Sequence, residues 1–451
     1  MTSTNFTALK KLAIRGAFWT IASYGAGQIL RFGSNLILTR LLFPDLFGLM
    51  ALVNIFIMGL QLFSDIGVGP SIIQNKRGDD PEFLNTAWTM QAMRGFGLWV
   101  GAVAIAYPIA QLYENPQLVW LIPIIGLTTI ISGFNSTALF TCDRHLAVKQ
   151  MVVFEVGSQI IALTVMIVWA WVNPTIWALI AGTLIASLVR MLWSHRLIPG
   201  QHNRFHWDKS AAEELFTFGK WIFISTALTF LAGQADRLIL GKLFSLEMLG
   251  VYTIAFTLSD LPRQVVLAVS NKVIFPAVSR LAHLPRPEFR MRLLNSRNRI
   301  LLMLAIGLAF LASFGDLVIL VLYDDRYDQA AWMMPLLALG VWPNMLSQTI
   351  DPSLFAIGKP SYVALGNLFR FIFNLVGIPL GYSLFGIPGA IIFVVLNDVP
   401  FYGAIAFGLA REGLSCLSQD VKATLLFVGM LALLLVVRSL LGLDSPIAGM
   451  L

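Results

Sequence analysis

The chain consists almost entirely of long apolar segments joined by short loops, which leaves few residues for a soluble domain. A helix of about 20 apolar residues crosses the roughly 30 Å hydrocarbon core of a bilayer. Only 12% of the residues are charged, half of the share of about 25% in soluble proteins. The pattern predicts an all-α polytopic membrane protein of about 13 transmembrane helices, within a range of about 12 to 14. The predicted segments are 16–39, 46–73, 83–112, 117–141, 150–172, 175–195, 213–241, 246–275, 300–323, 330–356, 361–383, 386–410 and 420–441.

Lysine and arginine residues gather on one side of the predicted segments. With the N-terminus placed in the cytoplasm, 20 of the 31 basic residues lie in inside loops, Arg297 among them, and 5 lie at outside ends, Arg438 among them. Cytoplasmic loops of membrane proteins carry such an excess, so we expect a multi-pass protein with a cytoplasmic N-terminus. The net charge of +7 is spread over these loops, which argues against nucleic acid as a partner.

Two parts of the chain repeat each other at a constant offset of 202 residues. Trp19, Arg40 and Gly48, for example, return as Trp221, Lys242 and Gly250. Because six segments separate the copies, both enter the membrane in the same direction, as in transporters whose halves rock about a midplane site. We expect two pseudo-symmetric six-helix lobes around a central cavity. The expected divisions are an N-terminal lobe 1–197, a cytoplasmic linker 198–212, a C-terminal lobe 213–411 and one or more additional helices in 412–451.

Five charged residues fall near the middle of predicted segments, namely Arg31, Arg94, Arg370, Asp260 and Asp398. An ionisable group at this depth costs about 2.5 to 3.5 kcal/mol on insertion scales, so it needs a polar cavity or a partner. One interpretation is a cationic lumen in which the arginines bind a phosphate-bearing substrate through their planar, permanently charged guanidinium groups. The alternative is that the arginines pair with Asp260 or Asp398 and only order the helices. The two carboxylates suit ion coupling equally well.

Other charges lie nearer the segment ends. Lys220 and Arg263 either reach the interface through their long stems or join the cationic lumen. Asp65 and Glu155 are further candidates for ion coupling or charge pairing. Arg190 and Asp351 fit the interface, and Asp236 is expected to cap a helix or to pair with the adjacent Arg237. The prolines that should interrupt segments are Pro262, Pro335, Pro343, Pro379 and Pro400.

Sequence signatures of catalysis and metal binding are absent from the chain. There is no Walker A motif, no HExxH and no nucleophile elbow. Cys142 and Cys416 fit no metal-ligand spacing and are expected to be free thiols. We therefore expect a protein that is not an enzyme and that holds no cofactor and no metal.

Several short motifs resemble those of one transporter family. They are Ser64-Asp-Ile-Gly-Val-Gly-Pro-Ser-Ile-Ile-Gln74, Asn85-Thr-Ala-Trp88, Ala235-Asp-Arg-Leu-Ile-Leu-Gly-Lys242 and Leu249-Gly-Val-Tyr252. In order and spacing they resemble the polysaccharide transporter (PST, Wzx-type) family of lipid-linked oligosaccharide flippases, nearest to its colanic acid exporter branch. This family belongs to the multidrug/oligosaccharidyl-lipid/polysaccharide flippase superfamily. The resemblance implies two six-helix lobes around a cationic cavity, but it supplies no catalytic signature, so the arginine assignment rests on depth alone.

The resemblance also implies a function in surface or exopolysaccharide biosynthesis. Such a protein moves an undecaprenyl-pyrophosphate-linked oligosaccharide across the bacterial cytoplasmic (inner) membrane by alternating access, with the polysaccharide polymerase machinery as a partner. Coupling to H+, to Na+ or to the membrane potential stays open. One alternative is a cation-coupled drug exporter of the same superfamily, whose cavity would be rich in acidic residues. Another is a membrane-embedded polysaccharide polymerase or ligase, which the short outside loops disfavour.

Overall fold

The computed structural model describes residues 25–64, 67–145, 147–270 and 274–450, with the side chains of 216–228 left out. Within these ranges the chain is helical and has no strand. Helix α1 includes residues 25–41. The helices that follow are α2 Pro44–Phe63, α3 Val68–Gln74, α4 Pro81–Leu112, α5 Leu118–Gly133, α6 Ala138–Arg144, α7 Val148–Val172, α8 Ile176–Ser194, α9 Lys209–Leu243, α10 Leu246–Ser259, α11 Leu261–Val269, α12 Phe275–Ser279, α13 Arg286–Leu322, α14 Asp328–Gln348, α15 Asp351–Ala356, α16 Ser361–Leu396, α17 Asp398–Arg411 and α18 Leu417–Leu440.

Many of these helices are long and apolar enough to cross a bilayer. In the described part of the chain, seven helical stretches meet this condition, and the pair α5 and α6, bent by 59° at its break, would make eight. The predicted all-α, multi-pass membrane protein is therefore confirmed. Several predicted segments are broken into two shorter helices, such as α10 with α11 and α14 with α15. The count of about 13 spans stays a prediction.

The stretch from α16 to α17 is a hairpin of two antiparallel arms. Gly386 interrupts α16 with a φ of 63°, a left-handed conformation that glycine adopts without strain. Beyond it, a Cβ on Gly389 would overlap the carbonyl group of Gly381, and Gly366 contacts Phe401 further along. These contacts require the chain to reverse at Gly386. The reversal separates the two predicted segments 361–383 and 386–410.

The chain folds as two compact units. The first contains residues 52–227 and the described residues up to 42, and the second contains 43–51 and 228–451. The boundaries cut through α2 and α9. The lobes predicted from the sequence, 1–197 and 213–411, stay a prediction.

The helix boundaries reproduce the 202-residue repeat. Helices α1 and α9 end at residues 41 and 243, and α2 and α10 begin at Pro44 and Leu246. The repeated glycines meet each other within the second unit: a Cβ on Gly48 would overlap the Leu246 carbonyl oxygen, and a Cβ on Gly250 would overlap that of Pro44. Each repeat thus offers the same two positions to the other, so the crossing of α2 and α10 has local twofold symmetry.

Two buried ion pairs hold α18 against α13. An Arg297 Nη donates to Asp420 Oδ1 at 2.8 Å, and an Arg438 Nη donates to Asp316 Oδ1 at 2.6 Å. All four residues are at most 4% exposed. The assignment of Arg297 to a loop was therefore wrong, whereas Arg438 lies at a helix end as predicted but is buried. On each helix the two positions lie about 28 Å apart, close to the thickness of the hydrocarbon core. Helices α13 and α18 run parallel, so the chain between them must cross the membrane an odd number of times. Three crossings meet this condition: α14 with α15 as one, and the two arms of the hairpin.

Removing one partner of the pair of Arg438 and Asp316 is expected to destabilise the protein more than removing both. Arg438→Met leaves the Asp316 carboxylate buried without its cation, which costs about 3 to 5 kcal/mol, whereas Arg438→Met/Asp316→Leu should recover most of the loss. Thermal unfolding of the purified chain measures both variants. Arg292→Met is the control, because Arg292 and its partner Glu288 are 52% and 39% exposed. An exposed pair contributes less than about 1 kcal/mol. Equal destabilisation by the single and double variants would contradict this account.

The predicted linker is docked along the first unit. Residues 201–208 are not helical, and three alternate backbone N–H groups in this stretch donate to side chains at the start of α4. The donors Arg204, His206 and Asp208 bond Asn85 Oδ1, Thr89 Oγ1 and Thr86 Oγ1 at 2.9, 3.0 and 3.0 Å. The Asn85-Thr-Ala-Trp88 motif therefore holds the linker backbone.

An arginine fixes the end of the linker where α9 begins. Arg77 donates to the Asp208 carboxylate at 2.9 Å and to Asp80 at 3.1 Å. The hydrogen bond from Arg77 is the main reason that the pKa of Asp208 is lowered to about 2. Asp208 is therefore ionised at any physiological pH, and this attachment does not respond to protons.

Candidate functional site

Two helix breaks in the second unit share a short sequence, an Asp followed two residues later by a Pro. Asp260 lies between α10 and α11, and Asp398 begins α17. Proline has no N–H to donate to the preceding turn but fits the first turn of a helix, so a new helix starts at each position. The interruptions predicted at Pro262 and Pro400 are confirmed. The other three, Pro335, Pro343 and Pro379, lie inside α14 and α16.

The two breaks bring opposite charges together in the interior of the second unit. Arg370 on α16 contacts Asp398 Oδ1 at 3.2 Å, and Arg263 on α11 pairs with Asp260 one turn earlier. Asn344 donates to Asp398 Oδ1 at 3.1 Å. Asp260, Arg370 and Asp398 are 7%, 9% and 5% exposed. For Arg370, the structure therefore shows the predicted alternative of a pair with an aspartate.

A cavity opens beside these pairs. Its volume is about 400 Å³, within the range of ligand pockets, and Asp260, Arg263, Arg370 and Asp351 line it together with neutral amides. A second space of about 30 Å³ separates Arg370 and Asp398 from Arg263, enough for about one water molecule. Further polar lining comes from Thr229, Gln264, Ser270, Asn344, Gln348 and Asn367.

Several buried polar atoms around the cavity lack a hydrogen-bond partner within the described residues. They are Arg370 Nε, Asn344 Oδ1 and both polar atoms of the Asn374 side chain. Asn374 lies one helical turn beyond Arg370 and is fully buried. A buried polar atom without a partner costs about 1 to 3 kcal/mol, so such atoms mark places where water or a ligand is bound.

The charged side chains of the described residues at this site are two arginines and three carboxylates. Two arginines are balanced by Asp260 and Asp398, and Asp351 adds a third carboxylate for which the described residues supply no hydrogen bond or ion pair. With all groups ionised, these described residues therefore carry one net negative charge. Arginine stays charged at any physiological pH, so only the carboxylates can change this balance.

The other two predicted arginines lie in the first unit. Arg94 donates from Nε to Ser64 Oγ at 2.9 Å and from Nη to the Gln61 carbonyl oxygen. Arg31 is exposed on α1, and none of the described residues forms an ion pair with it. Neither arginine pairs with Asp260 or Asp398. Their place in a shared cationic lumen stays a prediction.

The remaining predicted site residues differ in their locations and contacts. Asp65 and the side chain of Lys220 lie outside the described residues. Glu155 forms a bidentate ion pair with Arg190, with oxygen-to-nitrogen distances of 2.6 and 2.7 Å, and both side chains are partly exposed. Asp236 is 4% exposed and accepts a hydrogen bond from the buried Tyr252 hydroxyl. The expectation that Asp236 pairs with Arg237 was therefore wrong.

The sequence did not single out three of the site's polar residues, Asn344, Asn374 and Asp351. Amides carry no charge, so they did not stand out among residues at bilayer depth. Asp351 was assigned to the interface because it is close to a segment end. The signal that could have revealed it is its position directly before Pro352, since an Asp next to or near a Pro also marks the other two breaks. Among the described residues no cluster suited to a metal ion occurs, and Cys142 and Cys416 are free thiols.

Sequence comparisons relate the chain to proteins of bacterial polysaccharide biosynthesis. It is 23% identical over 356 residues to the succinoglycan biosynthesis transport protein ExoT of Rhizobium meliloti, an alignment that covers 78% of this chain and 71% of ExoT. It is 23% identical to the lipopolysaccharide biosynthesis protein WzxC of Escherichia coli, covering 61% of this chain and 56% of WzxC. The teichuronic acid biosynthesis protein TuaB of Bacillus subtilis is 21% identical, with 62% and 58% covered. The chain therefore spans little more than half of WzxC and TuaB.

Solved structures of membrane transporters share the fold. The lipid II flippase MurJ in an inward closed conformation superposes with a TM-score of 0.69 at 14% identity, over 95% of this chain and 94% of MurJ. An inward-facing multidrug resistance MATE family transporter of the MOP superfamily superposes with a TM-score of 0.68 at 13% identity, over 86% and 95%. At these identities the likeness establishes the fold.

A family match covers the part of the chain that contributes Asp260 and Arg263 to the site. The family described as polysaccharide biosynthesis protein matches residues 37–332, about two thirds of the chain. This range includes Asp260 and Arg263 and ends before the hairpin with Arg370 and Asp398. Together with the relatives, it confirms the predicted kind of protein, a membrane transporter of polysaccharide biosynthesis and not an enzyme. The chain belongs to the polysaccharide biosynthesis protein family.

Proposed function

We propose that the protein is a flippase that moves a lipid-linked oligosaccharide across the bacterial cytoplasmic membrane by alternating access, with an undecaprenyl-pyrophosphate carrier as the lipid. The names of ExoT and WzxC, which describe polysaccharide transport and biosynthesis, support this proposal. So does the fold shared with MurJ, a lipid II flippase. A cytoplasmic N-terminus and a polysaccharide polymerase as partner belong to the same proposal.

The observation that carries the proposal is the presence of two arginines at the 400 Å³ cavity, Arg370 buried and Arg263 partly exposed. Arg263 and Arg370 present planar guanidinium groups, which bind phosphate oxygens through two hydrogen bonds. Arg370 Nε has no hydrogen-bond partner among the described residues, so the hydrogen-bonding capacity of this guanidinium is not exhausted by Asp398. In this assignment the sugars and pyrophosphate enter the cavity while the lipid tail stays in the bilayer.

The aspartates provide a means of coupling transport to the binding of an ion. An anion has to compete with Asp398 and Asp260 for the two arginines, because the site is net negative when all groups are ionised. Protonation of either carboxylate, or binding of a cation near Asp351, would release an arginine for the pyrophosphate. Binding of the cargo is then linked to binding of H+ or Na+ through charge balance, and the membrane potential would act on the same charges.

Deletion of the gene in its host tests the proposed cargo. We expect loss of surface polysaccharide and accumulation of a lipid-linked oligosaccharide on the cytoplasmic face, both reversed by the wild-type gene on a plasmid. Mass spectrometry of extracted lipids identifies the accumulated oligosaccharide. Normal surface polysaccharide with no accumulated lipid would contradict the proposal.

The net negative charge of the described residues at the cavity favours one other candidate, a cation-coupled exporter of cationic drugs; the fold shared with a multidrug resistance MATE family transporter is compatible with it. Such cargo would be attracted by Asp351 and would not need the arginines. Drug susceptibility separates the two candidates: only the exporter predicts that deletion sensitises the host to lipophilic cations while its polysaccharide stays unchanged.

A further inference from the structure

A groove separate from the charged cavity runs between α13 and α18. It has a volume of about 420 Å³ and is lined by Asn298, Leu301 and Leu302 on α13 and by Gln419, Lys422 and Leu426 on α18. Leu302 and Leu426 are 46% and 43% exposed, and in a membrane-spanning chain such exposed apolar side chains face lipid. The groove is therefore open to the bilayer.

The groove is polar at one end and apolar at the other. Arg299 and Lys422 are the last charged residues of their helices before uncharged runs that continue to Asp316 and Arg438. These runs have the length of the hydrocarbon core, so Lys422 lies near its boundary. The polar lining of the groove shares that level with Lys422, while Leu302 and Leu426 lie deeper.

The polar end carries an unbalanced positive charge. Lys422 is the one charged residue among those that line the groove, it is exposed, and no described residue pairs with it. Ser418, one turn before Lys422 on the same face, lies in the first turn of α18, whose N-cap residue Cys416 provides no side-chain cap. Free N–H groups at a helix N-terminus and a nearby lysine both favour a phosphate oxygen.

The polar wall is fixed in position by a buried network. Gln419 donates to Asn298 Oδ1 at 2.6 Å and accepts from Arg297 at 2.9 Å. Arg297 is 1% exposed and is held by Asp420. The groove is therefore built by the same contacts that join the two helices, and its shape does not depend on flexible surface side chains.

We propose that this groove binds an anionic phospholipid, with its phosphate at Lys422 and Ser418 and an acyl chain along Leu301, Leu302 and Leu426. A zwitterionic lipid offers the same chain but no net charge to match Lys422. A bound lipid would bridge α13 and α18 where the buried pair of Arg297 and Asp420 already joins them, and would stabilise the packing of α18. This site is independent of the cavity proposed for transport.

Thermal unfolding of the purified, delipidated full chain in detergent tests the site with three probes. We expect phosphatidylglycerol to raise the unfolding temperature at lower concentration than phosphatidylcholine, and inorganic phosphate to have no effect. Lys422→Gln should weaken the phosphatidylglycerol effect about fivefold, the contribution of one basic residue at an anionic membrane surface. Lys149→Gln is the matched control, because Lys149 is also an exposed lysine near the start of a membrane-spanning helix, α7.

A second variant tests the apolar end of the groove separately from the charge of Lys422. Leu302→Trp fills the apolar end without touching Lys422, and it should weaken phosphatidylglycerol binding while leaving the unfolding temperature without lipid unchanged. Native mass spectrometry then counts the lipids retained by each variant. Equal effects of phosphatidylglycerol and phosphatidylcholine, or unchanged binding in either Lys422→Gln or Leu302→Trp, would overturn the proposal. Stabilisation by inorganic phosphate alone would assign the charge to a free anion instead of a lipid.

Discussion

Replacing Arg370 with Gln is expected to reduce oligosaccharide transport by about 10- to 100-fold, because a hydrogen bond to a charged group contributes about 1.5 to 3 kcal/mol. Arg370 lines the cavity, and its Nε has no hydrogen-bond partner in the described part of the chain. A liposome assay with fluorescently labelled lipid-linked oligosaccharide measures the rate. Membrane abundance of each variant must be measured alongside, since the change also leaves Asp398 without its cation.

A double variant separates transport from folding. Arg370→Met/Asp398→Leu removes both charges and keeps similar volumes, so its stability should approach that of the wild type. We expect this variant to fold and yet to be inactive in transport. The matched control is Arg438→Met/Asp316→Leu, which removes a buried pair far along α13 and α18 from the cavity and should transport normally. Wild-type transport by the Arg370 double variant would mean that the pair only orders the hairpin.

The sequence revealed the spans because hydropathy is a local property. It also revealed the helix breaks at Pro262 and Pro400, since proline acts on its own helix and needs no tertiary partner. The pairing of Arg370 with Asp398 was already one of two interpretations, because both residues lie at bilayer depth in neighbouring segments. The local pattern could not decide between an ion pair and an open lumen.

Other charges were misassigned because their environment depends on distant parts of the chain. Arg297 and Arg438 lie near segment ends, where an isolated helix would extend them to the interface. They are buried because α18 packs on α13 more than a hundred residues earlier in the chain. In the same way, Asp236 accepts a hydrogen bond from a tyrosine on the next helix, and not from the adjacent Arg237. The docking of the linker residues 201–208 could not be predicted, because their partners are side chains of α4.

The repeat predicts a contact that can be tested directly. Gly48→Ala should destabilise the protein by about 1 to 3 kcal/mol or more, the usual effect of overpacking, because the new methyl group meets the rigid carbonyl of Leu246. Gly250→Ala should have a similar effect through Pro44, since the crossing is reciprocal. The unfolding temperature of the purified protein and its abundance in membranes are the measurements. Gly307→Ala is the control, because nothing lies within 4 Å of its Cβ position on α13.

The double variant Gly48→Ala/Gly250→Ala tests the symmetry of that crossing. Once the first methyl group has moved α2 away from α10, the second finds part of its space already open, so the two losses should add to less than their sum. Strictly additive losses would mean that the glycines act at separate contacts, and a neutral Gly48→Ala would show that the helices do not touch there. Losses that add to less than their sum would instead show that both copies of the repeat share a single close contact, at which equivalent positions meet within the second unit.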